Sequence, residues 1–134
     1  MNKQLAQEVA IRAGDRCEYC HFPIRLSFTM FEIDHIIPEQ HGGLTILSNL
    51  ALACFACNHH KGPNLAGIDP KTRQKSWLYD PRKQSWARHF RWKGPLLLGR
   101  TIIGRATVST LAINTEYRVQ ERLALIEEGI FHSP

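Results

Sequence analysis

The apolar positions of the first half of the chain predict one helix, two strands and a short helical turn. Residues 2–13 place apolar side chains on one face at helical spacing, with an asparagine at the start and a glycine just after them. Residues 28–37 are rich in β-branched and aromatic side chains and predict a strand that Pro38 closes. Residues 49–54 predict a second strand, and residues 58–61 predict the helical turn.

The second half of the chain predicts mainly helices. Residues 64–75 are typical of a loop, residues 81–88 of a short helix, and residues 89–100 of a hairpin that turns at a Lys-Gly-Pro sequence. Residues 101–112 predict a helix with a threonine cap, and residues 115–128 predict the clearest helix of the chain, with a repeating apolar face. Strands and helices together predict an α+β fold.

Composition indicates one compact α+β domain over residues 1–134. Hydrophobic residues make up 43% and charged residues 22%, and a domain of this length buries enough surface to form a real core. No run approaches the roughly 18 consecutive apolar residues of a membrane span. Residues 1–14 lack the apolar stretch of a secretion signal. We therefore expect a cytoplasmic protein with no membrane partner.

Positive charge is concentrated in the second half of the chain, although the formal net charge is only +5. Residues 1–62 carry five basic and six acidic residues, whereas residues 63–134 carry twelve basic and six acidic ones. Within residues 71–105, five aromatic residues lie among ten basic ones, a pattern typical of surfaces that contact phosphates and bases. The alternative interpretation is a small aromatic core with a solvated basic face.

The four cysteines form two Cys-x-x-Cys pairs, Cys17 with Cys20 and Cys54 with Cys57. Four thiolates suit a tetrahedral zinc ion, and a two-residue spacer lets both sulfurs of a pair reach the same ion. Disulfides and a redox motif are the alternatives, but no secretion signal supports disulfides and a redox motif does not explain the matching second pair. We expect a structural Zn²⁺ whose four positions are all occupied, so that this ion is not catalytic.

An aspartate and a histidine, Asp34 and His35, are adjacent on the strand predicted between the two cysteine pairs. Neighbouring residues of a strand point to opposite faces, so at most one of them lies deep in a core. A charged aspartate is costly to bury without a partner, and a metal ion is one such partner.

The motifs taken together closely resemble the HNH endonucleases, also called the ββα-metal nucleases. The matching sequences are the two Cys-x-x-Cys pairs, Asp-His-Ile-Ile-Pro at 34–38, Gly-Gly at 42–43, Ser-Asn-Leu at 48–50, and Asn-x-x-Lys-Gly at 58–62. His35 precedes Asn49 by fourteen positions and Asn49 precedes Asn58 by nine, which is the family's spacing. The resemblance implies a ββα-metal core over residues 17–62, with residues 63–134 as a basic extension packed on it.

A catalytic set is implied by the same resemblance. His35 matches the general base that deprotonates the attacking water, and Asn49 matches the asparagine that holds the loop and orients it. Asp34 and Asn58 match the ligands of one catalytic divalent ion, and oxygen ligands suit Mg²⁺ or Mn²⁺. The implied reaction hydrolyses DNA phosphodiester bonds and leaves 5′-phosphate and 3′-hydroxyl ends.

Asn58 stands where the family often has histidine, which favours oxygen-preferring ions over soft metals. His59 and His60 follow it, and each is equally consistent with a ligand or phosphate contact and with a surface histidine beside a helix end. Lys61 matches the family's lysine after the second cysteine pair, for which we expect a phosphate contact or a cation at a helix C-terminus. The full set of predicted nucleic-acid contacts is His60, Lys61, Arg88, Arg91 and Lys93.

Two functions follow from these observations. An active, metal-dependent endonuclease acting on DNA is favoured, because a protein that only binds DNA has no need of an adjacent Asp-His pair. The alternative is a zinc-stapled DNA-binding module without catalysis. A bacterial or phage origin is implied by the resemblance, which extends more weakly to the C-terminal part of small stand-alone HNH proteins. Because no separate specificity domain is visible, we expect weak intrinsic sequence preference or a targeting protein partner. The oligomeric state is not determined by the sequence.

Overall fold

The structure, a computed structural model, describes residues 1–131 and divides into two compact units. The first unit comprises residues 1–65 and 80–84, and the second comprises, of the described residues, 66–79 and 85–131. Both units contain helices and antiparallel strand pairs, which confirms the predicted α+β class. Within residues 1–131, no helix is long and apolar enough to cross a membrane.

The first unit contains the predicted order of two strands followed by a helix. Helix α1 spans Lys3–Ala13, strand β1 Glu32–His35, strand β2 Leu50–Ala53 and helix α2 Phe55–Lys61. The two strands are antiparallel, with the last residue of β1 opposite the first residue of β2. Since β2 is buried along its whole length, it forms the centre of this unit.

Helix α1 has the ends that its sequence predicts. The side chain of Asn2 accepts a hydrogen bond from the Leu5 amide at 2.7 Å, which satisfies one of the free amides of the first turn. Gly14 ends the helix in the left-handed conformation, with a φ of 68°. Val9 is fully buried against Leu50 of β2, so that the helix is packed on the strand pair.

Strand β1 is much shorter than the predicted strand over residues 28–37. Phe28 and Met30 are 96% and 82% exposed, and pairing begins only at Glu32. The Ser27 hydroxyl instead bonds the backbone of Thr29, which replaces ladder bonds by a local turn. All four residues of β2 pair with β1, so the backbone before Glu32 has no partner strand within this sheet.

In its described part, up to residue 131, the second unit contains two hairpins and three helices. In chain order these are β3 (Ala66–Ile68), β4 (Lys75–Trp77), α3 (Trp86–His89), β5 (Phe90–Lys93), β6 (Leu96–Gly99), α4 (Ile102–Thr110) and α5 (Glu116–Glu127). The hairpin predicted over residues 89–100 and the two C-terminal helices are confirmed. Thr101 caps α4 by accepting a hydrogen bond from the Gly104 amide.

Two predicted elements of the second half are wrong. The loop predicted over residues 64–75 contains β3 and the start of β4. The helix predicted over residues 81–88 is reduced to the single turn of α3. Asp80 accepts hydrogen bonds from the amides of Arg82 and Lys83, and this local side-chain bonding favours a turn over a helix there.

The aromatic residues of the basic stretch mostly form a core. Tyr79, Phe90 and Trp92 are buried, and Trp86 contacts both Phe90 and Trp92 at ring-centroid distances of 5.3 and 6.2 Å. Trp77 is the exception, with 69% of its surface exposed. For four of these five residues, the aromatic-core interpretation is therefore correct.

The deeply buried side chains of helix α5 are arginines rather than members of its apolar face. Arg118 is buried and donates to the carbonyl of Leu111. Arg122 is 2% exposed and donates to the carbonyls of Pro95 and Ile113. A buried guanidinium needs such acceptors, and here they are backbone carbonyls at the ends of neighbouring elements.

Candidate functional site

The four cysteine sulfurs lie within 4.8 Å of one another, and all four residues are buried. Cys20 Sγ and Cys54 Sγ are 3.7 Å apart, which is too far for a disulfide. Four sulfurs arranged tetrahedrally at about 2.3 Å from a zinc ion are separated by about 3.8 Å. The predicted cysteine cluster thus fits a structural zinc ion.

Backbone amides and burial point to the same conclusion. The amides of Cys20 and Cys57 lie 3.4 Å from the sulfurs of Cys17 and Cys54, the arrangement expected when the sulfurs are thiolates. Burial raises the pKa of the Cys17 and Cys57 thiols well above the usual range. A bound cation is what keeps such buried thiols ionised, and four occupied positions leave no site for substrate.

The first cysteine pair is attached to β2 through Glu18. The backbone amide of Glu18 donates to the Leu52 carbonyl at 2.9 Å, and the Glu18 carboxylate accepts from the Leu52 amide at 2.9 Å. The other carboxylate oxygen forms an ion pair with Arg82, which also donates to the carbonyl of Leu50. Because of these bonds, the cysteine cluster and β2 have a fixed relative position.

Asp34 lies on the buried side of β1, with 5% of its surface exposed. Its Oδ2 accepts a hydrogen bond from the Tyr19 hydroxyl at 2.6 Å and lies 3.1 Å from Lys61 Nζ. Burial raises the pKa of the Asp34 carboxyl, while Lys61 and Tyr19 act in the opposite direction. Of the adjacent pair Asp34 and His35, the aspartate is therefore the deeply buried member, in line with the expectation that at most one of them is.

Lys61 is placed differently from the predicted phosphate contact. Only 2% of the residue is exposed, and its Nζ is 3.2 Å from Asp34 Oδ1 and from the carbonyls of His35 and Ile36. Protein oxygens surround the ammonium group because α2 ends directly beneath β1. Sequence reasoning also missed Tyr19, since a residue inside a cysteine pair gives no signal that it contacts Asp34.

His35 lies at the pocket surface, with 18% of its side chain exposed. Its Nε2 is 2.9 Å from the Thr45 hydroxyl and 3.9 Å from a carboxylate oxygen of Glu39. Thr45 is a second contact that the sequence does not reveal, because the loop that brings it back is irregular.

Asn49 bridges the loop that joins β1 to β2. Its Oδ1 accepts from the Ile37 amide at 2.9 Å, and its Nδ2 donates to the carbonyls of Ile37 and Leu44 at 3.0 and 2.9 Å. Gly43 lies so close to this bridge that a Cβ would overlap with the Ile37 carbonyl. The side chain of Asn49 is therefore well placed to fix the backbone that follows His35.

Asp34, His35 and Asn58 line one open pocket of about 350 Å³, together with Glu39, Gln40 and neighbouring residues. Asp34 and Asn58 offer the oxygen donors that hard divalent ions prefer. A carboxylate has about four acceptor positions, and Tyr19 and Lys61 together make three contacts to that of Asp34, which leaves one for a metal. Among residues 1–131, only the cysteines bring three or more His, Cys, Asp or Glu ligand atoms within reach of one ion.

Three other histidines of this unit, His41, His59 and His60, lie at its surface. His59 and His60 are exposed on α2, and the ring of His59 stacks on Phe55 at 5.7 Å. His41 Nε2 lies 3.1 Å from the Pro63 carbonyl. In the second unit, the predicted nucleic-acid contacts Arg88, Arg91 and Lys93 are all exposed.

Comparison with known proteins agrees with this geometry. Residues 17–64 match the family model described as HNH endonuclease, which confirms the resemblance found in the sequence. The matched segment contains both cysteine pairs and the pocket residues Asp34, His35 and Asn58. No curated protein and no solved structure matches the chain.

Proposed function

We propose, from the HNH endonuclease match over residues 17–64, that the protein is a metal-dependent endonuclease acting on DNA. The products are 5′-phosphate and 3′-hydroxyl ends. The observation that carries the proposal is the pocket in which Asp34, His35 and Asn58 meet. A base and two oxygen ligands in one open pocket are what phosphodiester hydrolysis requires.

His35 is the proposed general base. An imidazole suits this role because its ordinary pKa is near neutrality. When the Thr45 oxygen accepts a hydrogen bond from Nε2, the lone pair stays on Nδ1, which takes the proton from the attacking water. Asn49 is a positioning residue that fixes the loop on which Thr45 lies.

Asp34 and Asn58 are the proposed ligands of the catalytic ion, Mg²⁺ or Mn²⁺. When bound, such an ion stabilises negative charge on the scissile phosphate and on the leaving 3′-oxygen. Lys61 and Tyr19 hold the Asp34 carboxylate in a fixed orientation through the bonds described above. If Mg²⁺ binds here, Asp34 and Asn58 would be its protein ligands, and water and substrate oxygens would complete its shell.

A nicking assay tests this proposal. Supercoiled plasmid is incubated with the purified protein and Mg²⁺ or Mn²⁺, with chelator in parallel. We expect nicking that needs the metal and is lost in His35→Ala, while His59→Ala on the exposed face of α2 retains it. Metal-dependent nicking that survives unchanged in His35→Ala would show that the base is assigned wrongly.

A DNA-binding module without catalysis is the second candidate, favoured by the exposed cations Arg88, Arg91 and Lys93. It predicts salt-sensitive DNA binding and no cleavage with any divalent ion. Whichever function holds, we expect weak intrinsic sequence preference or a targeting protein partner. Selection of bound sequences from a random pool tests this, and a single long site would contradict it.

A further inference from the structure

We propose that the outer face of the β3–β4 hairpin binds an unpaired base of single-stranded DNA, with the ring of Trp77 as the stacking surface. DNA as the substrate rests on the proposed function. The binding site itself involves none of the residues that line the pocket around His35.

Trp77 differs from the other two tryptophans of the chain. It is 69% exposed, whereas Trp92 is buried and Trp86 is half-buried in ring contacts with Phe90 and Trp92. Trp77 therefore offers an uncovered ring at the protein surface, which the other two tryptophans do not.

The strand register shows which side chains accompany Trp77. It pairs with Ala66, and two positions along the hairpin Lys75 pairs with Ile68. Residues two apart on a strand point to the same face, so these four side chains share the outer face of the hairpin. Ala66, Lys75, Ser76 and Trp77 line an open depression of about 440 Å³.

The inner face of the hairpin is already occupied. Gly67 lies so close to Thr110 of α4 that a Cβ would overlap with the threonine hydroxyl. Asp69, at the end of β3, is fully buried and receives two hydrogen bonds from Arg105 of α4, at 2.9 and 3.0 Å. Because the inner face of the hairpin packs on α4, its outer face is the one that is left open to solvent.

Three exposed cations lie in the same hairpin as Trp77, and the only acid of this segment is neutralised. Lys71, Arg73 and Lys75 are exposed, while Asp69 is paired with Arg105. The side-chain carboxylate of Asp69 accepts a hydrogen bond from the Lys71 amide at 3.0 Å. The backbone carbonyl of Asp69 accepts one from the Arg73 amide at 2.8 Å. The turn that carries the cations is therefore as well defined as the strand that carries the ring.

A stacking ring next to exposed cations is complementary to a single strand. The cations match the phosphates, and the ring matches the face of a base, which is uncovered in a single strand but covered by its neighbours in a duplex. A protein partner would use the apolar side chains of this face but would have no general need for three lysine and arginine residues.

Binding of a labelled oligothymidine to the full chain, followed by fluorescence anisotropy without added divalent ion, tests the inference. We expect Trp77→Ala to weaken binding of the single strand by about 5- to 100-fold, the usual effect of losing one stacked base. Trp77→Phe retains most of the affinity. The matched control is Tyr117→Ala, which removes a 75% exposed ring from α5 and leaves binding unchanged.

A hairpin duplex of equal length serves as the second probe. We expect Trp77→Ala to change duplex binding by less than twofold, with circular dichroism and thermal melting like those of the parent chain. Equal weakening by Trp77→Ala and Tyr117→Ala, or an equal loss for both probes, would overturn the inference.

The plasmid assay separates this inference from the proposed function. Loss of single-strand binding in Trp77→Ala, without metal-dependent cleavage in the parent chain, supports the stacking site and removes the nuclease. Cleavage by the parent chain together with unchanged single-strand binding in Trp77→Ala supports the nuclease and rejects the stacking site.

Discussion

The ammonium nitrogen of Lys61 lies 3.1 Å from Oδ2 of Asp34, and the two residues are only 2% and 5% exposed. The last residue of α2 thus supplies the counter-charge of the carboxylate that we propose as a metal ligand. Tyr19, from the first cysteine pair, donates a hydrogen bond to the same carboxylate. Removing one member of such a buried pair leaves an uncompensated charge.

Lys61→Met should therefore destabilise the chain by about 3–5 kcal/mol, because Asp34 remains buried without its cation. Urea unfolding measures the change in the free energy of unfolding. The double variant Asp34→Asn/Lys61→Met should recover part of that loss, and Lys83→Met, at an exposed lysine of the same unit, should have little effect. Unchanged stability with weakened DNA binding in Lys61→Met would instead support the phosphate contact predicted from the sequence.

One zinc ion per chain is expected from the cysteine cluster. Its loss, by a strong chelator or by Cys20→Ser, should unfold the first unit, because metal-binding energy contributes directly to folding in small sites of this kind. Elemental analysis gives the zinc content and circular dichroism the loss of structure. Full zinc content in Cys20→Ser, or disulfides detected by mass spectrometry, would contradict the assignment.

Asn49→Asp should slow cleavage more than it weakens DNA binding. The substitution keeps one acceptor but removes the donors to the carbonyls of Ile37 and Leu44, which costs about 1–3 kcal/mol of stability. Misplacement of the loop beside His35 should lower the cleavage rate by about 10- to 100-fold. Single-turnover cleavage at saturating protein measures this rate. Ser48→Ala, at an exposed neighbour, is the control, and equal rates for both variants would exclude the positioning role.

Replacing Arg88, Arg91 and Lys93 together by glutamine should flatten the salt dependence of duplex binding. Three phosphate contacts contribute up to about 3 to the slope of log affinity against log salt concentration. Titrations at several salt concentrations give the slope, with Lys3→Gln, an exposed cation of the first unit, as the control. If the slope of the triple variant equals that of the parent chain, these charges serve only solvation.

The stability of the chain should fall in mild acid, with His89 as one cause. Burial lowers the pKa of His89, with a smaller effect from Arg88, so that the folded chain resists protonation of this ring. Its contribution to stability is complete above the ordinary histidine pKa of about 6.5 and is lost as the pH falls below that value. Melting between pH 7.5 and 5.5 should show a smaller decrease for His89→Asn than for the parent chain.

His59→Asn is the control for this pH dependence, because His59 is exposed. It should follow the parent chain at every pH. Identical profiles for all three proteins would show that His89 does not contribute.

Local signals account for the elements that the sequence predicts correctly. The Asn2 and Thr101 caps and the glycine after α1 act within one helical turn, so they determine helix ends whatever the tertiary structure. The strand before Glu32 fails for the opposite reason. Its residues have strand propensity, but only a partner strand can satisfy their backbone, and β2 is too short to supply one.

The cysteine spacing and the order of motifs determined, from the sequence by itself, the four-sulfur cluster, the HNH resemblance and the residues proposed for the pocket. Tertiary structure alone decided that Lys61 and Tyr19 contact Asp34, that Thr45 contacts His35, and which of the aromatic residues is exposed. The type and spacing of the metal ligands depend only on short segments of the sequence. Burial and pairing depend on which distant residue arrives opposite, and in this chain Asp34 and Lys61 are separated by 27 positions and meet only because α2 folds back beneath β1.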